Sequence, residues 1–138
     1  MHRLLIALAL AFVPATGHAQ KSGLDQAAAG ARQAWLAHDP AALIAASPRL
    51  LIQLPGADPS VALGPAQAAA LLVDFLAPAQ EVELVIRAAR EVEPGRGYVE
   101  LLRRYRVSGT QDVRDQVLLI GYRLDRGRWS LVELRVVG

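Results

Sequence analysis

The stretch VRDQVLLIGYRLDRGRWSLVELRVV, residues 113–137, decides the fold. Asp125-Arg126-Gly127 is a turn signal between two apolar-rich runs, so 113–124 and 128–137 read as antiparallel strands of one hairpin. Pairing Leu124 with Trp129 and Tyr122 with Leu131 keeps one face apolar. Carried on unbroken, that register would bring Glu133 into the core. A one-residue bulge near Val132-Glu133 is therefore expected, returning Leu134 and Val136 to the apolar face. The centre of the first strand is apolar on both faces, because Val117 and Leu119 alternate with Leu118 and Ile120. A strand of that kind is covered on both sides. Helices can cover only one, so the other is expected to meet a second copy in a homodimer.

Working back from that hairpin, two further turns, Pro94-Gly95-Arg96-Gly97 and Ser108 to Asp112, bound strands at about 81–92 and 98–107. Setting Val92 opposite Val99, Ile86 opposite Tyr105 and Leu84 opposite Val107 leaves one face apolar. It turns Glu81, Glu83, Arg87, Glu91, Glu100, Arg104 and Arg106 to solvent. It also places Arg90 and Arg103 together on the inward face. Only Asp115 and Glu133 on neighbouring strands could balance them, and the bulge turns Glu133 away. Two inward cations facing at most one carboxylate suit an anionic ligand, because an unpaired buried charge is costly. The expected ligand-binding set is Arg103 as main contact, Arg90 second, with Tyr105 and Asp115.

Before residue 80 the periodicity is helical. Leu24, Ala28, Ala31 and Trp35 recur at helical spacing from an N-cap at Ser22 to about His38. Asp39-Pro40 then reads as N-cap and first residue of a short helix through Ala46, which Ser47-Pro48 stops. Arg49 to Leu54 is a short strand. Gly64-Pro65 opens a third helix to about Ala77, with Ala69, Leu72, Val73 and Leu76 as its buried stripe. The predicted core is Trp35, Leu72, Val73, Leu76, Ile86, Tyr105, Trp129 and Leu134.

The N-terminus carries a different grammar. His2 and Arg3 precede an unbroken apolar run from Leu4 to Val13, Pro14 breaks it, and Gly17 and Ala19 place small residues where a signal peptidase cuts. Residues 1–19 are thus expected to be a signal peptide, with a single α+β domain over 20–138, exported to the periplasm or beyond. The run is too short to span a bilayer, so no membrane association is expected after cleavage.

Composition narrows the chemistry. The chain has 15 Lys and Arg against 13 Asp and Glu. So small an excess of positive charge argues against a nucleic-acid partner. With no cysteine there is no disulfide or thiolate ligand, and His38 is the one histidine after residue 19. A multi-histidine metal site is therefore absent. No nucleophile elbow and no glycine-rich phosphate loop is present, and no cofactor is expected. Asp39 and His38 are the residues nearest to a catalytic pair, but helix capping and a helix-end position explain them.

Three helices with a short strand between the last two, then a four-stranded meander, is an order with a known counterpart. With the stretches WLAHD (Trp35–Asp39), RWSL (Arg128–Leu131) and GPAQAAALLVDFLA (Gly64–Ala77), the chain resembles the nuclear-transport-factor-2-like, or ketosteroid-isomerase-like, superfamily. More narrowly, it is similar to a secreted bacterial branch of unknown function. The resemblance implies a strongly curved, mostly antiparallel sheet with three N-terminal helices in its concave face and a pocket at its open end. That superfamily hosts isomerases, dehydratases and non-enzymatic binders, so the fold alone does not assign a function. The expected function is non-catalytic binding of a small ligand, or of a partner protein, in the pocket. An isomerase- or dehydratase-like enzyme using a pocket carboxylate is one alternative, and a purely structural dimerisation module is another.

Overall fold

The structure is a computed structural model that describes the backbone of residues 16–138 and the side chains of residues 23–138. Residues 1–15 of the expected signal segment lie outside the described residues. The elements follow in the order α1 (Thr16–Leu36), α2 (Pro40–Leu43), β1 (Leu51–Gln53), α3 (Pro65–Leu76), β2 (Ala79–Glu93), β3 (Arg96–Val107), β4 (Val113–Asp125) and β5 (Arg128–Val137). The five strands form one curled sheet in the order β1-β5-β4-β3-β2. Every neighbouring pair is antiparallel except β1, which runs parallel to β5. The helices fill the concave face. Among the described residues no helix is long and apolar enough to cross a membrane.

Local chemistry accounts for the junction of α1 and α2, whereas α1 begins at Thr16, ahead of the Ser22 expected as its N-cap. Leu24, Ala28, Ala31 and Trp35 form the buried stripe of α1, as their spacing requires. The helix ends when His38 adopts the left-handed conformation, with φ of 50°. Its N–H donates to the Trp35 carbonyl and that of Asp39 to the Ala34 carbonyl, both at 2.9 Å. This pairing caps the last turn of α1. Asp39 then caps α2, its Oδ1 accepting from the Ala42 N–H at 3.1 Å, with Pro40 at the first helical position. In α3 the buried stripe is Ala68, Leu72 and Leu76. Val73, expected inside, is 53 % exposed. The helix meets the core along one narrow ridge, and Val73, one residue on from Leu72, is rotated off it.

The last hairpin has the expected register. Leu124 faces Trp129 and Tyr122 faces Leu131. The irregularity beside Gly121 then sets Glu133 opposite that glycine, leaving Val132 as the extra residue. Leu134 and Val136 are fully buried in consequence. The first hairpin differs. It closes tightly on Pro94-Gly95 with Glu93 opposite Arg96, rather than on four turn residues. Val99 faces Ala89, Leu101 faces Ile86, Arg103 faces Leu84 and Tyr105 faces Glu81. Three irregularities in β2, at Val82, Arg87 and Val92, separate these segments. Each adds one residue to β2 and reverses which of its side chains point inward beyond that point. α1 packs along this hairpin, Arg32 Nε donating to the Leu84 carbonyl at 2.6 Å, and near the turn a Cβ on Gly97 would lie 2.8 Å from Leu24 Cδ2.

Candidate functional site

The reversals in β2 determine what surrounds Arg103. Leu84 is fully buried, and the bulge at Val82 turns Glu81 inward as well. Two positions past Leu84, Ile86 still faces the core; the bulge at Arg87 then brings Ala89 to the inner face. Arg90, paired with Tyr98, is left exposed on the outside. Uninterrupted alternation along β2 would put Glu81 outside and Arg90 inside; the bulges exchange them. Asp115 is also outside. It faces Arg104, with Arg104 Nε 2.9 Å from Asp115 Oδ1, and both are exposed. That hydrogen bond holds the Asp115 carboxyl below its ordinary range. The residue beside Arg103 on β4 is Gln116.

Arg103 is inward, and its side chain is 1 % exposed. Its Nε donates to both Glu81 oxygens, at 3.2 and 3.0 Å, and a terminal nitrogen donates to Glu81 Oε1. The other terminal nitrogen donates to Gln116 Oε1 at 2.7 Å. The guanidinium carbon sits 4.1 Å from the Tyr105 ring centroid, 5.0 Å from Trp35 and 5.5 Å from Phe75. Trp35 and Phe75 meet edge to face. The cation is thus forked onto one carboxylate and enclosed by three aromatic faces, a geometry that suits arginine and not lysine. His38 extends the network, its Nε2 being 3.2 Å from Glu81 Oε1. Its own side chain is one-third exposed.

This arrangement corrects the charge count made from the sequence. Arg103 has an inward carboxylate, Glu81, and the pair is electrically balanced. It is sealed from solvent and offers no open donor to an anion. Tyr105 stands between this pair and the outside. On its outer side are two depressions, of about 360 and 590 Å³, that share Phe75, Tyr105 and Arg114 as lining. Leu54, Pro55 and Ala57 add an apolar wall to the larger one, and Pro78, Ala79 and Val107 to the smaller. Arg114 is itself held by Asp112 at 2.8 Å.

The Tyr122 hydroxyl is directed at the Ala27 carbonyl, 3.5 Å away, and burial pushes the phenol well above its ordinary range. Among the described residues no three His, Asp or Glu side chains come close enough together to hold a metal ion.

No family model and no curated protein matches this chain. Solved structures do. A ketosteroid isomerase-like protein from Erwinia carotovora atroseptica superposes with a TM-score of 0.70 at 16 % identity, over 86 % of this chain and 95 % of that one. An NTF-2-like protein of unknown function from Shewanella oneidensis gives 0.60 at 13 % identity, over 85 % and 98 %. The fold is the nuclear-transport-factor-2-like cone. A domain of unknown function with a cystatin-like fold from Nostoc punctiforme is also similar, with a TM-score of 0.67 at 16 % identity over 86 % and 76 %. In this cone the interior is closed by the Glu81–Arg103 pair, and the mouth begins at Tyr105 and Phe75. Arg103 and Tyr105 were reachable from the sequence. Glu81, Gln116, His38, Trp35 and Phe75 were missed as parts of the site. No local signal announces them, since Leu84, Val85 and Ile86 alternate as expected and neither Val82 nor Arg87, where the register shifts, carries a glycine or proline beside it.

Proposed function

We propose that this chain is an exported, non-catalytic binding domain that takes a small, largely apolar molecule at the mouth of the cone. The observation that carries this reading is the shared wall of Phe75, Tyr105 and Arg114 between two largely apolar depressions with Asp74 and Asp115 on their linings, and with the buried Glu81 and Arg103 behind it already paired. A general base must reach its substrate's proton. Here Glu81 is spent on Arg103 and His38, and its side chain is 4 % exposed. The apolar wall supplies the affinity. The test is a fluorescence titration with 8-anilinonaphthalene-1-sulfonate, an apolar probe with one anionic group. Saturable binding is expected, weakened about tenfold by Phe75→Ala, as for a buried aromatic contact. Binding unchanged in Phe75→Ala, or none in the folded wild type, overturns the reading.

The outer face of the sheet supports a second reading, self-association. Val85, Leu102, Val117 and Val137 face one another in register across β2, β3, β4 and β5. Three of them are more than a third exposed. Glu83 and Arg104 lie on one side of this row, with Arg87 and Glu100 on the other. A twofold axis along the row would set Arg104 over the partner copy's Glu100 and Glu83 over its Arg87, so the two faces are complementary in charge as well as apolar. Light scattering at tens of micromolar should give a dimer, and Leu102→Arg a monomer. A wild-type monomer at that concentration refutes it.

A further inference from the structure

A different surface, independent of the mouth, carries a binding site of its own. It lies between the α2–β1 connection and the β4–β5 hairpin, around a cavity of about 810 Å³. Arg49 comes from the connection; Arg123, Arg126 and Arg128 come from the hairpin. The register explains the gathering. Arg123 faces Ser130 and Asp125 faces Arg128 across the two strands, so alternate residues on each strand share this side. Asp125 is the one carboxylate on the lining.

Two observations point to a ligand. The first is charge. None of the four arginines around this cavity makes an ion pair among the described residues, and the lining brings all four to one place against a single carboxylate. In a chain whose basic residues exceed its acidic ones by only two, that is a strong local excess. The second is Arg126. With Gly127 it occupies a turn of two left-handed residues, at φ of 51° and 77°. Asn or Gly is favoured at the first of these positions, and arginine is not. The hairpin keeps a cation where its own folding would choose otherwise.

Forked guanidinium groups free of ion pairs, brought from two segments to the lining of one roomy depression, match phosphate oxygens. We propose that this cavity binds a soluble phosphorylated small molecule carrying two or more negative charges, its phosphates held by Arg49, Arg123, Arg126 and Arg128.

The probe is inorganic pyrophosphate, added to the full chain at constant ionic strength and followed by amide chemical shifts. Saturable shifts confined to residues 45–49 and 123–130 are expected. Arg123→Gln with Arg128→Gln together should weaken binding at least about tenfold, the usual effect of losing charge-assisted hydrogen bonds. Arg126→Asn separates binding from folding, since it should weaken pyrophosphate binding several-fold while the melting temperature holds or rises. No saturation by about 10 mM, beyond which the affinity is negligible, overturns the proposal. So do shifts centred on Phe75 and Tyr105, or undiminished affinity in the double variant. Binding to anionic phospholipid vesicles that pyrophosphate does not displace also overturns it, because the site would then serve a membrane surface.

Discussion

Replacing Arg103 by methionine should unfold this domain at modest stress, and replacing Glu81 at the same time should restore it. Methionine fills the arginine stem's volume but leaves the Glu81 carboxylate, 4 % exposed, without its cation. Removing one partner of a buried ion pair costs about 3–5 kcal/mol. The orphaned Gln116 oxygen, which had accepted at 2.7 Å, adds about 1–3 kcal/mol. Against a total stability of about 5–15 kcal/mol for a domain, that is a large fraction. At roughly 3–5 °C per kcal/mol for a chain of this size, the ion-pair part alone lowers the melting temperature by roughly 10–25 °C. Glu81→Leu alone should cost a similar amount, because Arg103 would then be the unpaired charge, enclosed by Trp35, Phe75 and Tyr105. The double variant has no buried charge left. Apolar replacement of a whole buried pair is often neutral or stabilising, so it should lie within about 2 kcal/mol of wild type. Urea melts of the four proteins measure the coupling directly. If Arg103→Met costs less than about 1 kcal/mol, or if the double variant loses the sum of the two single losses, the ion pair does not organise this core.

Two further outcomes follow from burial. Trp35, 1 % exposed, should cost about 3–5 kcal/mol as Trp35→Ala, and Trp129, only half-buried, clearly less; equal losses in denaturant melts would contradict the placement of Trp129 at the edge of the core. For Tyr122, whose folded-state ionisation is raised by burial, the stability is fully present below the ordinary tyrosine range near pH 10 and is lost as pH rises above it. Ultraviolet titration should show the Tyr122 phenolate appearing only with unfolding, and Tyr122→Phe should flatten the alkaline loss of stability.

Much of the cone is legible in the residues, and the reasons are local. The β4–β5 hairpin is readable because Asp125 to Arg128 marks the turn and because Glu133 forces a bulge that the pattern itself demands. The junction of α1 and α2 is readable because Asp39-Pro40 can do little else. The β2 strand is the opposite case. The bulges at Val82, Arg87 and Val92 have no glycine or proline to announce them, and each exchanges inside for outside. Arg103 keeps its predicted face because β3 is regular. Arg90 and Glu81 trade places because β2 is not. Val73 illustrates a second limit, since a helix rich in alanine, leucine and valine offers several stripes and only tertiary packing selects one.

The parallel pairing of β1 with β5 has a consequence for the order in which this chain can assemble. Leu51, Ile52 and Gln53 take their partners from Glu133, Leu134 and Arg135, and Arg135 Nε reaches back 82 positions to the Gln53 side chain. A ribosome delivers those partners long after β1 itself. Until then Ile52 and Leu50, both destined for full burial, have no sheet to join, and the β4 edge that β5 will cover stays open. Closing so distant a pair is slow relative to the local hairpins. Over that interval the nascent chain carries an unsealed edge and uncovered leucines, the state in which holdase chaperones find their clients.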